Sequence, residues 1–404
     1  MMAAGKPRLL VLASTYPRWR NDVEPGFVHE LARRLTDAFE VSVIAPHAPG
    51  ALVDEVLDGV AIHRYRYAPA ALETLVHGGG IVSHLKRSPW KFALVPGFVL
   101  AQWLSVRRSL RRQSPALIHA HWLIPQGLVA RAVAGHAVPY VVTSHGADLF
   151  ALSSRWFARL RRWVMRRASK VTVVSAAMQA KVWQEAPDTP VAVLPMGVDA
   201  EQLFTPDPTV VRDSDELLFV GRLVEKKGLR HLLAALPAVI AQRPSVRLTI
   251  VGFGPELAAL QGLVEQLGLA AHVRFLGAVA QSQLPALYRR AGLFVAPFIA
   301  AASGDQEGLG LVVAEAMACA CPVLVGDVPA VHDLVDADTG VIVPATQHAR
   351  LAAAINALLD DAPRRAQLAE QGRRHVLERY SWTAVAARYR DLLLSVAASA
   401  LPRK

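Results

Sequence analysis

The stretch that decides the fold runs from Pro297 to Asp327 and reads PFIAAASGDQEGLGLVVAEAMACACPVLVGD. Its first part contains three glycines and predicts a loop that allows close backbone approach. From Leu311 onward the residues are small and apolar, which predicts a helix that Pro322 ends. The run Val323–Val325 then predicts a short buried strand. This order of loop, helix and strand is typical of an α/β domain.

Two acids interrupt this apolar stretch, Glu307 in the loop and Glu315 inside the helix, with seven residues between them. A helix mouth with glycines offers free N–H groups and a positive dipole end, which suit phosphate or sugar hydroxyls. At about 1.5 Å per residue, Glu315 lies about two turns further on and can reach another part of the same ligand. The alternative to ligand binding is that Glu315 is a helix acid favoured by the dipole and that Glu307 is an exposed loop acid. It is disfavoured for Glu315, because burying an unpartnered acid is costly, and stays open for Glu307.

The E-x7-E spacing, followed by EAMACACPVLVGD, resembles the donor-site signature of retaining family 4 glycosyltransferases. The resemblance covers nearly the whole chain. It implies an α/β protein with the GT-B fold, in which two Rossmann-like doubly wound domains face a cleft. The domains are expected at 1–205, on the acceptor side, and at 210–380, which would bind the nucleotide-sugar donor. A C-terminal helix at about 382–404 is expected to cross back to the first domain.

The resemblance also assigns roles within the second half. The family pattern G-R-L-x-x-x-K-G matches Gly221–Gly228. In the family its Arg and Lys bind the leaving pyrophosphate, so Arg222 and Lys227 would neutralise a diphosphate. Lys226 is the less favoured donor contact. A solvated basic turn is the weaker alternative, since the spacing and the preceding strand both fit the pattern.

The E-x7-E stretch supplies the remaining donor contacts in this resemblance. Glu307 would hold hydroxyls of the donor sugar, and Glu315 would bind the ribose hydroxyls. The backbone of the helix mouth would help, through the residues Gly308, Leu309, Gly310 and Leu311.

Two residues of the first half are candidates as well. The segment TSHGADL matches the family segment whose histidine faces the donor sugar, and that role falls on His145. The alternative is a loop histidine capped locally by Asp148. The loop after the first strand approaches the diphosphate in the family, often through paired glycines. Here Pro25 and Gly26 stand instead of a pair, so a phosphate contact at Gly26 and a tight turn are both open.

The composition points to an anionic partner, because the net charge is +11 at pH 7. No nucleic-acid-binding motif is recognised, so nucleic acid is not expected. Two stretches with basic and aromatic residues, Gly97–Arg112 and Arg155–Lys170, predict contact with an anionic membrane surface. In the second of them, four apolar side chains share one helical face: Trp156, Leu160, Trp163 and Val164. The alternative for each stretch is a core-facing helix with a solvated basic face.

No metal and no bound cofactor are expected, since a UDP- or GDP-sugar would be a co-substrate. His119 and His121 share one face of a strand, but a third metal ligand is not evident. The D-x-D pairs Asp213/Asp215 and Asp336/Asp338 are interpreted as solvated loop or linker residues. The two cysteines are interpreted as buried, and the N-terminal segment lacks the features of a signal peptide. A cytoplasmic protein is therefore expected, peripheral on the inner face of the cell membrane if the basic stretches bind it.

The resemblance implies a retaining glycosyltransferase that moves a hexosyl group from a nucleotide-diphosphate sugar to a hydroxyl of a glycan or lipid-linked acceptor. Assembly of cell-surface polysaccharide or glycolipid is the expected setting. In the family's inferred mechanism the acceptor attacks on the face that the diphosphate leaves. The leaving phosphate takes the proton, so no protein base is needed. Two alternatives are a non-catalytic membrane-associated scaffold that binds nucleotide sugars and a GT-B sugar-nucleotide epimerase.

Overall fold

The computed structural model describes residues 5–20, 22, 26–78, 80–134, 138–150, 152 and 154–399. The chain forms two compact units, one comprising Met1–Pro195 and Ala386–Lys404 and the other Met196–Val385. Pro25 and the end of the expected helix at 400–404 lie outside the described residues.

The first unit is built on an eight-stranded sheet whose order is β3-β4-β2-β1-β5-β6-β7-β8. All neighbouring strands pair in parallel except β3 and β4, which are antiparallel. Central strands of parallel sheets are covered on both faces, so they consist of nearly continuous apolar residues. The strands are β1 (Arg8–Leu12), β2 (Glu40–Pro46), β3 (Asp54–Leu57), β4 (Val60–Tyr65), β5 (Leu117–His121), β6 (Tyr140–Ser144), β7 (Lys170–Val173) and β8 (Val191–Val193).

The helices of this unit include one that the sequence obscured. Pro96 and Gly97 are residues that commonly interrupt a helix, but both lie in the first turn of a 19-residue helix. A proline is tolerated there because its missing N–H would have no partner within the helix. The helices are α1 (Phe27–Arg34), α2 (Ile81–Arg87), α3 (Val95–Gln113), α4 (Leu128–Ala134), α5 (Ala147–Phe150), α6 (Arg155–Met165) and α7 (Ala176–Glu185).

The second unit has a six-stranded, wholly parallel sheet in the order β11-β10-β9-β12-β13-β14. This is the strand order of a doubly wound dinucleotide-binding fold, with the topological switch point between β9 and β12. The strands are β9 (Asp213–Val220), β10 (Arg247–Val251), β11 (Val273–Gly277), β12 (Ala291–Ala296), β13 (Val323–Gly326) and β14 (Val341–Val343).

The helices of the second unit pack against this sheet around an apolar core. Its buried members include Leu232 and Leu236 of the first of these helices. The helices are α8 (Leu229–Gln242), α9 (Leu257–Gln266), α10 (Leu284–Arg290), α11 (Leu311–Ala318), α12 (His348–Asp360) and α13 (Ala362–Arg379). The last helix, α14 (Trp382–Ser399), begins in the second unit and continues into the first. None of the helices described is long and apolar enough to cross a membrane.

Two expectations about this unit were wrong. Helix α11 ends at Ala318, before Pro322, because the chain turns at Ala320 with a φ of +52°. Asp213 and Asp215 are strand residues at the start of β9, and Asp213 pairs in the ladder with β12. Sequence alone favoured a loop because aspartate is depleted in strands. Both residues lie at the first end of β9, where Asp213 is exposed and Asp215 is half-buried, so the strand accommodates them without burying their charge.

Candidate active site

The loops that follow β9 and β12 lie side by side at the switch point of the second unit, because those two strands are neighbours. The first loop contains a short 3-10 turn at Glu225–Lys227, which we call the EKK turn. The next residue, Gly228, has a φ of +68°, and a Cβ placed on it would lie 1.7 Å from the carbonyl oxygen of Pro297. Only glycine permits this approach of the two loops.

The central contact of the site is an ion pair between Lys227 and Glu307. The Lys227 Nζ lies 2.6 Å from the Glu307 Oε2, and each side chain is 14% exposed. The same Nζ lies 4.6 Å from the centre of the Phe298 ring. Burial favours the neutral acid, but the ammonium groups of Lys227 and Lys226 outweigh it and lower the pKa of Glu307 to about 2. Glu307 is therefore a carboxylate that accepts hydrogen bonds and has no proton to donate.

Glu315 lies in α11 and has the opposite electrostatic environment. The hydroxyl of the buried Tyr288 donates a hydrogen bond to its Oε2 at 3.0 Å. Burial raises the pKa of Glu315 to about 7, although hydrogen bonds from Tyr288 and Gln281 act in the opposite direction. Glu315 thus has the partner that a buried acid requires, and its charge changes near neutral pH.

The other predicted residues of this unit border the same two loops. Arg222 is exposed in the loop after β9. Gly308, Leu309 and Gly310 are buried immediately before α11, and Leu311 is the first residue of that helix. The structure thus joins Lys227 to Glu307 directly and places both next to the N-terminus of α11, where backbone N–H groups are free of helical partners.

In the first unit, His145 follows the carboxyl end of β6 and lies among aromatic rings. His121 stacks on it, with an interplanar angle of 7° and 3.0 Å between the His121 Nδ1 and the His145 Nε2. The rings of Phe27 and Trp122 are each centred 4.9 Å from that of His145. Burial lowers the pKa of His145 to about 3, so the imidazole is neutral under ordinary conditions.

The local alternative for His145, a cap by Asp148, is not what the structure contains. One oxygen of the Asp148 carboxylate accepts the backbone N–H of Leu123 at 2.6 Å. The other accepts the Ser144 hydroxyl at 2.8 Å. Asp148 therefore fastens the loop after β5 to the end of β6.

His119 and His121 do share one face of β5, with ring centres 4.3 Å apart. The His119 Nε2 lies 2.7 Å from the Thr143 hydroxyl, which in turn lies 2.6 Å from the Thr172 hydroxyl. The described residues contain no group of three or more His, Cys, Asp or Glu that could hold a metal ion.

Gly26 caps α1 with a φ of −88°, and a Cβ there would meet only the Pro17 Cγ, at 3.8 Å. No contact among the described residues thus requires glycine at this position. Sequence reasoning did not single out Phe27 and Tyr288, although they contact His145 and Glu315. Both stand in ordinary amphipathic helices, where an aromatic residue predicts a core position and nothing more.

Both halves of the chain match described families. Residues 27–202 match Glycosyltransferase Family 4, and residues 205–375 match Glycosyl transferases group 1. A phosphatidyl-myo-inositol mannosyltransferase of Mycolicibacterium smegmatis is 31% identical over 369 residues, covering 89% of this chain and 86% of its own. A GDP-mannose-dependent alpha-(1-6)-phosphatidylinositol monomannoside mannosyltransferase of the same organism is 29% identical over 407 residues, covering 95% and 98%.

Among solved structures, a sucrose-phosphate synthase from Thermosynechococcus elongatus superimposes with a TM-score of 0.80. It is 22% identical, and the match covers 98% of this chain and 100% of that one. At this identity the likeness concerns the fold, which is GT-B. The chain belongs to the family 4 glycosyltransferases of the GT-B fold, and it is a hexosyltransferase.

Proposed function

We propose that this glycosyltransferase is retaining and transfers a hexosyl group from a nucleotide-diphosphate sugar to a hydroxyl of a lipid-linked or glycan acceptor. The observation that carries the proposal is the Lys227–Glu307 pair beside the N-terminus of α11. It combines a cation for a phosphate, a fixed carboxylate for hydroxyls and the backbone N–H groups at the start of a helix, all within two adjacent loops.

In this proposal Lys227 and Arg222 stabilise the negative charge that develops on the departing diphosphate. An ammonium has three protons, so Lys227 can bind a phosphate oxygen while it keeps its bond to Glu307. Stabilising the leaving group is the main electrostatic task, because the bond to be broken joins the sugar to the phosphate oxygen.

Glu307 would accept hydrogen bonds from hydroxyls of the donor sugar, helped by the backbone of Gly308–Leu311. With a pKa of about 2, its carboxylate is too weak a base to take the acceptor's proton at neutral pH. That proton would pass to the leaving phosphate oxygen as the acceptor attacks the same face of the sugar. Glu315 would bind the ribose hydroxyls.

We assign His145 to the donor sugar, as a neutral imidazole that can donate or accept a hydrogen bond. Gly26 is proposed as a backbone contact to the diphosphate. Residues 210–380 would bind the donor, and residues 1–205 with the C-terminal helix would bind the acceptor. The donor of one mycobacterial relative is named as GDP-mannose, which makes a GDP-sugar the first candidate here and a UDP-sugar the second.

The acceptor is proposed to be lipid-linked, and the enzyme to bind the inner face of the membrane from the cytoplasm. The relatives are named for phosphatidylinositol acceptors. Two elements of the first unit present exposed apolar and basic side chains that suit an anionic bilayer. Along Gly97–Arg112 the exposed apolar residues are Leu100 and Leu104 of α3. Along Arg155–Lys170 they are Trp156 and Trp163 of α6, whereas Val164 of the predicted apolar face is buried in the core.

The test is transfer from GDP-mannose and UDP-glucose to a membrane extract, with the linkage of the product determined by NMR. Retention requires that the product anomer match the anomer of the donor. Glu307→Ala should lower kcat/KM by roughly 100-fold or more, while the thermal unfolding temperature stays near that of the wild type. Glu265→Ala, an exposed acid on α9, is the matched control and should leave the rate unchanged. An inverted product, or wild-type rates in Glu307→Ala, would refute the proposed mechanism.

A further inference from the structure

The EKK turn reaches the loop after β12 through each of its three side chains in succession. The Glu225 Oε1 accepts the backbone N–H of Ala302 at 2.9 Å. The Lys226 Nζ lies 3.1 Å from the Asp305 Oδ1 and 3.2 Å from the carbonyl oxygen of Gln306. The third side chain forms the central ion pair of the site. Only this third contact is part of the donor site proposed above.

The loop that receives these contacts has short-range hydrogen bonds of its own, from the N–H of Ala301 to the carbonyl oxygen of Asp305 and from the N–H of Gly304 to that of Ala301, each 2.8 Å long. Both lie within residues 301–305, so they do not fix the loop relative to the rest of the unit. No helix or strand lies between Ala296, where β12 ends, and Leu311, where α11 begins. Gly304 within it has a φ of +79°, and Ala302 to Gly304 are exposed. A segment of this kind has many accessible conformations unless tertiary contacts select one.

The contacts of Lys226 are well placed to select that conformation. Asp305 and Gln306 immediately precede Glu307, so fixing both fixes the direction in which the Glu307 carboxylate leaves the backbone. The ion pair is partly buried, with side-chain exposures of 20% for Lys226 and 26% for Asp305. Partial burial reduces the screening of the pair by water and salt. The backbone of the turn adds a further bond, from the N–H of Ile299 to the carbonyl oxygen of Lys226 at 3.0 Å.

We infer that Lys226 and Asp305 are positioning residues for sugar recognition, which hold the loop so that Glu307 meets the hydroxyls of the donor sugar. The inference rests on the proposed function. It assigns no donor contact to either residue. Because Lys227 and Glu315 serve the diphosphate and the ribose, the nucleotide part of the donor should bind without the Lys226–Asp305 pair.

The test compares a nucleoside diphosphate with its sugar conjugate, using GDP with GDP-mannose and UDP with UDP-glucose in calorimetric titrations. Asp305→Asn breaks the ion pair but leaves the Lys226 charge in place. The affinity for the nucleoside diphosphate should therefore stay equal or rise, since the site becomes more positive. The preference for the nucleotide sugar should fall, and kcat/KM should decrease about tenfold or more, as misplaced contacts commonly cost.

A double-mutant cycle separates a shared role from two independent ones. Lys226→Met and Asp305→Asn together should lower kcat/KM no more than Lys226→Met alone, which also removes the contact with Gln306. Lys226→Arg should keep most of the wild-type rate. Asp338→Asn, an exposed acid of the same unit, is the matched control and should change neither affinity nor rate.

Three outcomes would overturn the inference. Equal losses of affinity for GDP and GDP-mannose, or for UDP and UDP-glucose, would mean that the pair only supports the fold. Unchanged kcat/KM in Asp305→Asn would mean that the loop is held without it. If the wild-type protein binds neither nucleoside diphosphate, the proposed function fails first, and the inference fails with it.

Discussion

Glu315 is a residue of the site whose charge changes near neutral pH, because its surroundings shift its pKa. Burial raises its pKa to about 7, and three neighbours act against burial. Tyr288 and Gln281 donate hydrogen bonds, and the positive charge of Lys227 favours the carboxylate. A ribose hydroxyl is a better donor to a carboxylate than to a neutral acid, because charge-assisted hydrogen bonds are stronger.

The affinity for a nucleotide sugar should therefore rise as the pH increases through about 7. The raised pKa means that the protonated, weaker-binding form predominates below it and the carboxylate above it. Between pH 8 and pH 6 the dissociation constant should increase by up to about tenfold if only the carboxylate binds ribose. GDP-mannose is the better probe, because its diphosphate has no terminal phosphate that titrates in this range.

Two variants check that Glu315 is the titrating group. Glu315→Gln should bind GDP-mannose with little dependence on pH, since an amide does not ionise. Tyr288→Phe removes a hydrogen bond that lowers the pKa of Glu315, so the midpoint should move to higher pH. A flat profile in the wild type, or an unchanged midpoint in Tyr288→Phe, would contradict the assignment.

At the scale of single residues, the sequence indicated which charged side chains belong to the site but not which of them contact each other. Opposite charges at Lys227 and Glu307 were visible from spacing, but sequence assigned them to different parts of a ligand and not to each other. Lys226 was the less favoured donor contact, and nothing in the sequence indicated that it pairs with Asp305. Such pairs join residues about 80 positions apart, and only the packing of two strands brings them together.

At the scale of elements, Gly228 joins the EKK turn to the loop after β12. Its Cβ would collide with a backbone oxygen of Pro297, which cannot move aside as a flexible side chain can. Gly268, after α9, has the same φ of +68° and no atom within 4 Å of its Cβ position. A comparison of alanine substitutions at the two glycines therefore separates the free-energy cost of the backbone conformation from the cost of steric crowding.

Gly268→Ala should lower the free energy of unfolding by about 1 kcal/mol, the cost of a left-handed alanine. Gly228→Ala should lower it by roughly 2–4 kcal/mol, because overpacking adds to the same backbone term. It should also weaken GDP binding, since the two loops of the site are pushed apart. Denaturant unfolding and calorimetry measure both effects. Equal losses of stability would show that the close approach to Pro297 is relaxed at little cost.

The elements themselves were predicted with uneven success, for physical reasons. The strand β13 is an apolar run of the kind that a parallel sheet requires, so its position followed from composition. The start of α3 is not evident from the sequence, because Pro96 can either break a helix or begin one. The end of α11 was misplaced for a related reason: the chain leaves the helix through Ala320, a residue that carries no stop signal.

At the scale of the whole molecule, the net charge of +11 gives the chain a general attraction to anionic surfaces. Charge alone does not fix a binding face, and exposed aromatic side chains can do so because they enter the interfacial region of a bilayer. Trp156 is 61% exposed and Trp163 is 44% exposed on α6. Exposed arginines surround them on the same helix, at Arg155, Arg159 and Arg162.

We therefore expect α6 to contribute specifically to membrane binding. The Trp156→Ser/Trp163→Ser protein should float with vesicles containing about 30 mol % phosphatidylglycerol several-fold less than the wild type. Trp183→Ser is the matched control, because Trp183 is 45% exposed on α7 of the same unit.

Raising the salt from about 0.1 M to about 1 M should release the wild type from the vesicles, since the screening length falls from about 10 Å to about 3 Å. An equal loss of binding in Trp183→Ser would indicate that any exposed tryptophan contributes non-specifically. Equal binding of the wild type to pure phosphatidylcholine would show that the basic side chains do not contribute to membrane binding. If only the α6 variant loses vesicle binding, and neither a change of lipid composition nor a lower salt concentration restores it, then α6 is the helix that faces the acceptor's membrane.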